Sequence, residues 1–460
     1  FLISIKKKIK AKEGQFIIKN KGGFVTFGLK IFEKISKFHN KIAISSGSKE
    51  ITYELLNEIS LKIASTLIIS KLNNQVVGII GQRNFSVYYG ILGAIYSGCT
   101  YVPINDKYTQ DKIKKIIIES NISILIGNGD SFKRIINLLD LRNIKTIIMP
   151  EEKKDPQTKI FPKSLKIFYQ EDILNQKKTN PINTDPSDSL YILFTSGSTG
   201  NPKGVMVTNK NIECFINNFQ KSYNLQIGYK SSQTFDLGFD PSVVDMFMTW
   251  LNGGQLCLLS ESELLMPYEY IKREKLNFWY SVPALIKFMF KMNYLIPNSF
   301  PELKYSIFTG EALPKYLCDA WQIAAPNSII ENGYGPTEAT VNISKFFYKR
   351  EYKNREYQNN ILPIGHIFED HSFAFVDENF KKVEDKGHLV IKGGQISKGY
   401  LNDPDKTNIS FRKFNWDKSN ETWYLTGDKA FINEFSEIEY LGRIDDQIKI
   451  LGRRIELGEI

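Results

Sequence analysis

Between residues 75 and 126 the chain spells a strand at 76–80, a helix at 85–96, a strand at 100–103, a helix at 112–119 and a strand at 122–126. Short apolar runs alternating with longer helical patterns leave few architectures open, because parallel strands reach one another only through crossover helices. The segment therefore predicts an α/β fold with an at least partly parallel sheet. The pattern resumes downstream. Thr208 or Asn209 can cap a helix running to Gln220, residues 255–259 read as a short apolar strand, and a helix at 268–275 precedes strands at 278–281 and 305–308. At 460 residues the chain exceeds what one hydrophobic core usually organises, so two or more domains or subdomains are expected. Polar, Lys-, Asn- and Pro-rich text between 150 and 188 predicts an exposed connection. A second polar stretch at 348–360 precedes a segment rich in β-branched residues and glycine, 361–400, which predicts a smaller β-rich subdomain.

Composition excludes some classes. The longest apolar stretches, such as 76–80 and 122–126, fall far short of the roughly 18 residues a membrane span needs, so no membrane partner is expected. A net charge of +10 could serve a polyanion, but the lysines, such as Lys112, Lys114, Lys115, Lys272 and Lys275, are spread over what read as solvated helix faces. No nucleic-acid partner is expected. Cys99, Cys214, Cys257 and Cys318 are widely separated, with no C-x-x-C and no histidine at zinc-ligand spacing, which suits a reduced, cytoplasmic setting. His366 and His371 have no third ligand candidate nearby, so no metal site is expected there. The apolar residues 1–5 precede Lys6, Lys7 and Lys8, the reverse polarity of a secretory signal, and residues 1–20 read as an upstream remnant.

Chemistry enters at YILFTSGSTGNPKG, residues 191–204, where apolar and aromatic residues run into hydroxyls, glycines and one lysine. A buried strand would feed a loop in which Gly197, Gly200 and Gly204 bring backbone N–H groups close to phosphate oxygens. Thr195, Ser196, Ser198 and Thr199 add hydroxyl donors, and Lys203 adds a point charge. The lysine spacing is not that of a Walker A loop. The run points to ATP, although composition alone would favour a Ser/Gly-rich surface turn.

Further motifs occur in order: FDPSVVD at 239–245, FTGEALP at 308–314, NGYGPTEAT at 332–340, GHLVIKGGQISKGYL at 387–401, YLTGD at 424–428 and GRIDDQIKILGRRIELGEI at 442–460. TYELLN at 52–57 and GCTYVPIN at 98–105 lie upstream. With these, roughly residues 20 to 460 resemble the adenylate-forming (ANL) superfamily, and within it the amino-acid adenylation domains of nonribosomal peptide synthetases and the stand-alone ligases that load D-alanine on a carrier protein. The resemblance implies a large N-terminal adenylation domain at 21–442, with two α/β subdomains and a β-rich one at about 361–442, then a hinge and the beginning of a truncated C-terminal domain at 443–460. It implies ATP-dependent activation of an amino acid as aminoacyl-AMP with release of pyrophosphate, and transfer to the phosphopantetheine thiol of a peptidyl or acyl carrier protein. ATP and Mg²⁺ would be required. The protein would be monomeric or part of a multidomain synthetase.

Residue roles come from the same correspondence. In YGPTE, Pro336 fixes a turn, Thr337 offers a hydroxyl and Glu338 is a hard oxygen ligand suited to Mg²⁺ on the phosphates. Asn332 can read the adenine edge and Tyr334 can stack on the base, beside Gly333 and Gly335; alternatively these are turn residues. Asp428 would accept from both ribose hydroxyls, and Tyr440 and Arg443 match positions that line the nucleotide, though a packed aromatic and a solvated arginine are open alternatives. Thr195, Lys203 and Glu338 are the candidate catalytic groups. Asp240 matches the aspartate that pairs with the substrate's α-ammonium group, a contact that is strong only in a water-poor pocket. Its alternative is a helix-capping aspartate. Pro241, Val244, Tyr280, Ile307, Thr309, Gly333, Val341 and Asn342 would line the side-chain pocket, and their lack of charge suggests a neutral, small to medium side chain. Two departures stand out: Gly387-His388-Leu389 replaces the usual Gly-Glu-Leu, and the family's catalytic lysine would lie beyond Ile460, past the hinge matched by Asp445. The rival expectations are an acyl- or aryl-CoA synthetase and a non-catalytic nucleotide-binding remnant.

Overall fold

The computed structural model describes residues 25–138, 143–154, 161, 162, 164–196, 202–445, 447–450 and 453–456. The expected remnant at 1–20, and Gly197, Ser198, Thr199 and Gly200 of the expected phosphate loop, lie outside the described residues.

Two large sheets carry the molecule. One has seven strands in the order Lys166–Phe168, Thr146–Ile148, Ile124–Gly127, Val76–Ile80, Thr100–Ile104, Ser189–Thr195 and Lys203–Thr208. Every pair is parallel except the last, a hairpin. The other has nine, in the order His366–Ile367, Ser344–Tyr348, Ile329–Tyr334, Tyr305–Thr309, Phe278–Ser281, Lys230–Gln233, Gln255–Leu258, Ile42–Ser46 and Lys49–Thr52, parallel at its centre and antiparallel at both edges. A third, antiparallel sheet is built from His371–Val376, Lys382–Val383, Lys386–Gly393, Phe411–Arg412, Trp423–Ile432 and Ile438–Arg443. Parallel strands buried on both faces are why the sequence shows unbroken apolar runs there instead of alternation.

Side-chain alternation sorts the layers. Phe278 and Tyr280 point into a central core and Trp279 into an outer one; Ile307 and Phe308 divide in the same way. Helices Phe27–Ile35, Tyr53–Ile69, Phe85–Tyr96 and Asn209–Gln220 fill the space between the two large sheets. Phe85–Tyr96 is buried at every residue but its first, hence its apolar character all round. It packs closely on Tyr53–Ile69 because Gly93 has no side chain: a Cβ there would lie 2.6 Å from Cγ2 of Ile63. Thr52, Asn84, Thr109 and Thr208 each accept a backbone N–H three residues on, which is what starts four of the helices. No helix among the described residues is long and apolar enough to cross a membrane.

The sequence reading needs one correction. The stretch between 150 and 188, expected as an exposed connection, supplies the edge strand Lys166–Phe168 and the short helix Gln170–Leu174. An edge strand of three residues, the first exposed and the other two half-buried, carries too little pattern to be read, and only its partner Thr146–Ile148 gives it register.

Glu331, on the strand Ile329–Tyr334, is an anomaly of the inner layer. It is fully buried and accepts from the Tyr223 hydroxyl at 2.7 Å, while its Oε1 has no partner among the described residues. Burial pushes its carboxyl up to about 7, against the opposing pull of Tyr223 and Lys345. The folded state thus holds this proton more tightly than the unfolded chain does, so its contribution to stability is lost as pH rises from the ordinary carboxyl range through about 7. Glu331→Gln keeps an acceptor for Tyr223 and cannot ionise. Its unfolding free energy, measured in denaturant, is expected to fall less between acid and mildly alkaline pH than that of the wild type, by about 3 kcal/mol.

Candidate active site

The carboxyl ends of parallel strands from both large sheets converge, the usual location of a ligand site in open α/β sheets. Thr195 ends Ser189–Thr195 and stands directly opposite Lys203 in the hairpin; its Oγ1 is buried with no hydrogen-bond partner among the described residues. Lys203 reaches across to Glu338, with Nζ 3.1 Å from Oε1. The carboxylate is fully buried and the lysine side chain is 9% exposed. Two buried charges are costly unless their remaining valences are met. Here the Tyr400 hydroxyl donates to the same Oε1 at 2.8 Å, and the Tyr400 ring lies under the lysine, 4.8 Å from Nζ. Burial and the neighbouring Glu338 push the Tyr400 hydroxyl far above its ordinary range, so it remains a donor.

Glu338 sits in the single 3₁₀ turn Thr337–Ala339, and the chain leaves it through two β-branched residues in the left-handed region, Thr340 at φ 55° and Val341 at φ 69°. Such a pair is strained and persists only when its surroundings impose it. Gly335 makes the passage possible: a Cβ there would lie 1.8 Å from the Val341 carbonyl oxygen. The strained turn presents the Val341 N–H to Asp240 Oδ2 at 3.1 Å. Asp240 precedes the short helix Pro241–Val243, but its side chain makes no cap hydrogen bond to it.

Around Asp240 lie most of the residues expected to line a substrate pocket. Thr309 stands opposite Gly333 and Ile307 opposite Tyr280 in the sheet register. The Tyr280 hydroxyl and Thr309 Oγ1 both donate to Asn342 Oδ1, at 3.3 and 2.9 Å. Asn342 Nδ2 occupies the space a side chain at Gly333 would need, 2.2 Å from the position of its Cβ. Val244 and Ile307 are buried and Pro241 is half-buried.

A second cluster joins the third sheet to this rim. The Tyr334 hydroxyl donates to Asp428 Oδ2, and Arg443, which faces Asp428 across the strands, donates through Nη1 to Asp428 Oδ1 at 2.9 Å and to the Thr426 carbonyl at 2.7 Å. The same guanidinium makes paired bonds to Asp445, at 2.8 and 2.6 Å. Burial opposes its charge, but Asp445 and Asp428 hold it above the ordinary arginine range. Arg443 is therefore engaged with the protein and is not a solvated arginine. Half-buried Tyr440 has its hydroxyl pushed up to about 12 by burial and by Asp428. Thr337 is half-buried at the start of its turn. Asn332 differs from its neighbours: its Nδ2 donates to the carbonyls of Leu362 and Pro363, at 3.3 and 2.8 Å, so the amide donor is spent inside the chain. His388 lies away from these groups, on Lys386–Gly393 opposite Val376 and Lys429.

Sequence reading did not single out Tyr400 or Asp236. Asp236 Oδ2 accepts from Gln82 and Asn105, at 2.8 and 2.6 Å, and Arg83 donates to the carbonyls of Gln233 and Thr234, tying the Asp240 loop to the other sheet. Tyr400 lies inside a motif already noted, but nothing in its type announces a carboxylate partner across the fold. Among the described residues no group of three or more His, Cys, Asp and Glu side chains could hold a metal ion by itself.

Comparison with known proteins agrees with this geometry. The chain is 28% identical to the D-alanine–D-alanyl carrier protein ligase of Bacillus velezensis, over 91% of this chain and 78% of that protein. It is 29% identical to gramicidin S synthase 1 of Brevibacillus brevis, over 93% of this chain but only 36% of that longer protein. It superimposes with a TM-score of 0.86 and 27% identity on the crystal structure of the Vibrio cholerae adenylation domain AlmE, solved with glycyl-adenosine-5'-phosphate, covering 96% of this chain and 84% of that one. The fold is thus the α/β fold of adenylation domains. The family model described as AMP-binding enzyme matches residues 31–401. That match takes in the hairpin of Lys203, the loop of Asp240 and the turn of Glu338, and it ends beside Tyr400: the chain belongs to the AMP-binding enzyme family.

Proposed function

We propose that the protein activates an amino acid as aminoacyl-AMP, releasing pyrophosphate, and passes the aminoacyl group to the phosphopantetheine thiol of a carrier protein. The observation that carries the substrate class is Asp240. It is 9% exposed at the rim where the two sheets meet, held by the Val341 N–H and not used as a helix cap. A carboxylate so placed suits an α-ammonium group, whereas a fatty or aryl acid would leave it buried opposite an uncharged group. The relatives act in the same sense, since the Bacillus velezensis protein is a carrier protein ligase by name and AlmE was solved with an aminoacyl adenylate.

In this reaction a substrate carboxylate oxygen attacks the α-phosphorus of ATP, a new P–O bond forms, and the bond to the β-phosphate oxygen breaks to release pyrophosphate. Two anions must meet, so the protein's task is positioning and charge neutralisation. Lys203 and the loop hydroxyls Thr195 and Ser196 are the neutralising donors. Glu338 fits Mg²⁺, which commonly takes one protein carboxylate with substrate phosphates and water completing its shell; when bound, the ion would neutralise phosphate charge. Before ATP arrives, Lys203 supplies that carboxylate's counter-charge. Tyr334, Asp428, Tyr440 and Arg443 form the nucleotide side, with Gly333, Gly335 and Thr337 lining it. Asn332, with its Nδ2 held by the Leu362 and Pro363 carbonyls, reads the adenine edge through its amide oxygen. Pro241, Val244, Tyr280, Ile307, Thr309, Val341 and Asn342 close the side-chain pocket around a neutral, small to medium substrate. Asp445, locked to Arg443, is the hinge between a large domain at 21–442 and a C-terminal domain that begins at 443. We place the reaction in the cytoplasm, with its ATP.

Two measurements test this reading. In amino-acid-dependent pyrophosphate exchange by the intact enzyme, Glu338→Ala is expected to lose about 100-fold or more and Lys203→Ala about 10- to 100-fold; undiminished exchange in Glu338→Ala overturns the metal assignment. Asp240→Ala is expected to abolish exchange with amino acids while leaving ATP binding intact. Exchange driven by fatty or aromatic acids in the wild type would instead make the protein an acyl- or aryl-acid ligase.

A further inference from the structure

We infer that Gln395 is a positioning residue of the site: it holds the strained turn 339–342 in the conformation that presents Val341 to Asp240. This rests on the aminoacyl-adenylate reading proposed for the site. Gln395 is completely buried, and the contacts of its side chain are with backbone carbonyls of the turn. Its Nε2 lies 2.9 Å from the Asn342 carbonyl oxygen, 3.2 Å from that of Ala339 and 3.3 Å from that of Thr340. Its own carbonyl accepts from Thr340 Oγ1 at 2.6 Å, and the Ser397 N–H donates to the Glu338 carbonyl at 2.8 Å. One side chain and its immediate neighbours therefore grip the whole left-handed passage.

The grip is anchored to the strand that carries Lys203. The carbonyls of Gly394 and Ile396 both accept from Asn211 Nδ2 at 2.8 Å, and Asn211 belongs to the capping box that starts the helix after Lys203–Thr208. The Gln395 N–H donates to His371 Nε2 at 3.3 Å. Beyond it, the N–H groups of Lys398 and Leu401 donate to Met206 and Gly204 on that strand. The loop 393–401 is thus a fixed strut between the lysine strand and the strained turn, and the Gln395 amide is its contact with the turn. Without that amide the three carbonyls lose their donor in a buried setting, which favours relaxation of Thr340 and Val341 out of the left-handed region. The Val341 N–H then leaves Asp240, whereas the Tyr334, Asp428 and Arg443 cluster is untouched.

Gln395→Met, of similar length with no donor, tests this in pyrophosphate exchange with the amino acid the wild type uses. The KM for the amino acid is expected to rise about tenfold or more and kcat to fall, while the KM for ATP stays within about twofold. Unchanged parameters, or equal losses toward both substrates, overturn the inference. Should Gln395→Met lack a cooperative melting transition, Gln395→Asn, which keeps the amide one methylene shorter, is judged by the same split between the two KM values. A wild type with no amino-acid-dependent exchange would refute the adenylate reading itself, an outcome distinct from normal wild-type exchange with an unaltered variant.

Discussion

The buried pair of Lys203 and Glu338 is the contact around which the rest of the site is arranged. Its partners come from the far edge strand of one sheet and from the turn after a central strand of the other. Neither charge tolerates burial alone, so the two sheets, each with its own outer core, are obliged to meet with their carboxyl ends in register at this point. Tyr400 satisfies what the pair leaves over, and it arrives on the segment that leads from the third sheet. A lysine that keeps a carboxylate as its resting counter-ion is also a lysine already desolvated and aimed.

The strain in the turn after Glu338 has the same logic. Thr340 and Val341 adopt a conformation that isolated β-branched residues avoid, and the energy needed to hold it comes from packing and hydrogen bonds elsewhere. What the fold gains is direction: a backbone N–H faces Asp240 and a carboxylate faces Lys203 from two ends of one short turn. Rigid strands on either side, and the Asp236 and Arg83 ties across the sheets, limit how far either end can drift. Positioning of this kind is what a reaction between two anions demands, because no covalent help from the protein is needed once charge and distance are right.

Legibility in the sequence tracks burial. Parallel strands such as Val76–Ile80 and Phe278–Ser281 are readable because both faces are covered and the apolar run is unbroken. Lys166–Phe168 is not, since an edge strand needs only its neighbour. Among site residues, those whose chemistry is carried by type and motif stand out, such as Lys203, Asp240, Glu338 and Asp428. Those acting through a partner distant in the chain do not. Tyr400 reads as one more core aromatic, and Asp236 as a loop carboxylate, until the fold brings Glu338 to the one and Gln82 and Asn105 to the other. Asn332 is a mixed case: its amide nitrogen is taken by the Leu362 and Pro363 carbonyls, contacts with residues some thirty positions away that its type does not announce.

By itself, then, the sequence determined the α/β class, the order of motifs and the chemical inventory of an ATP-dependent ligation, because periodicity and side-chain type are local properties. Tertiary structure decided which charges are neutralised by which, which backbone is strained and what holds it. Those are properties of contacts between residues far apart in the chain, such as Lys203 with Glu338 and Gln395 with the turn 339–342. Their energies exist only once burial has removed water as the competing partner.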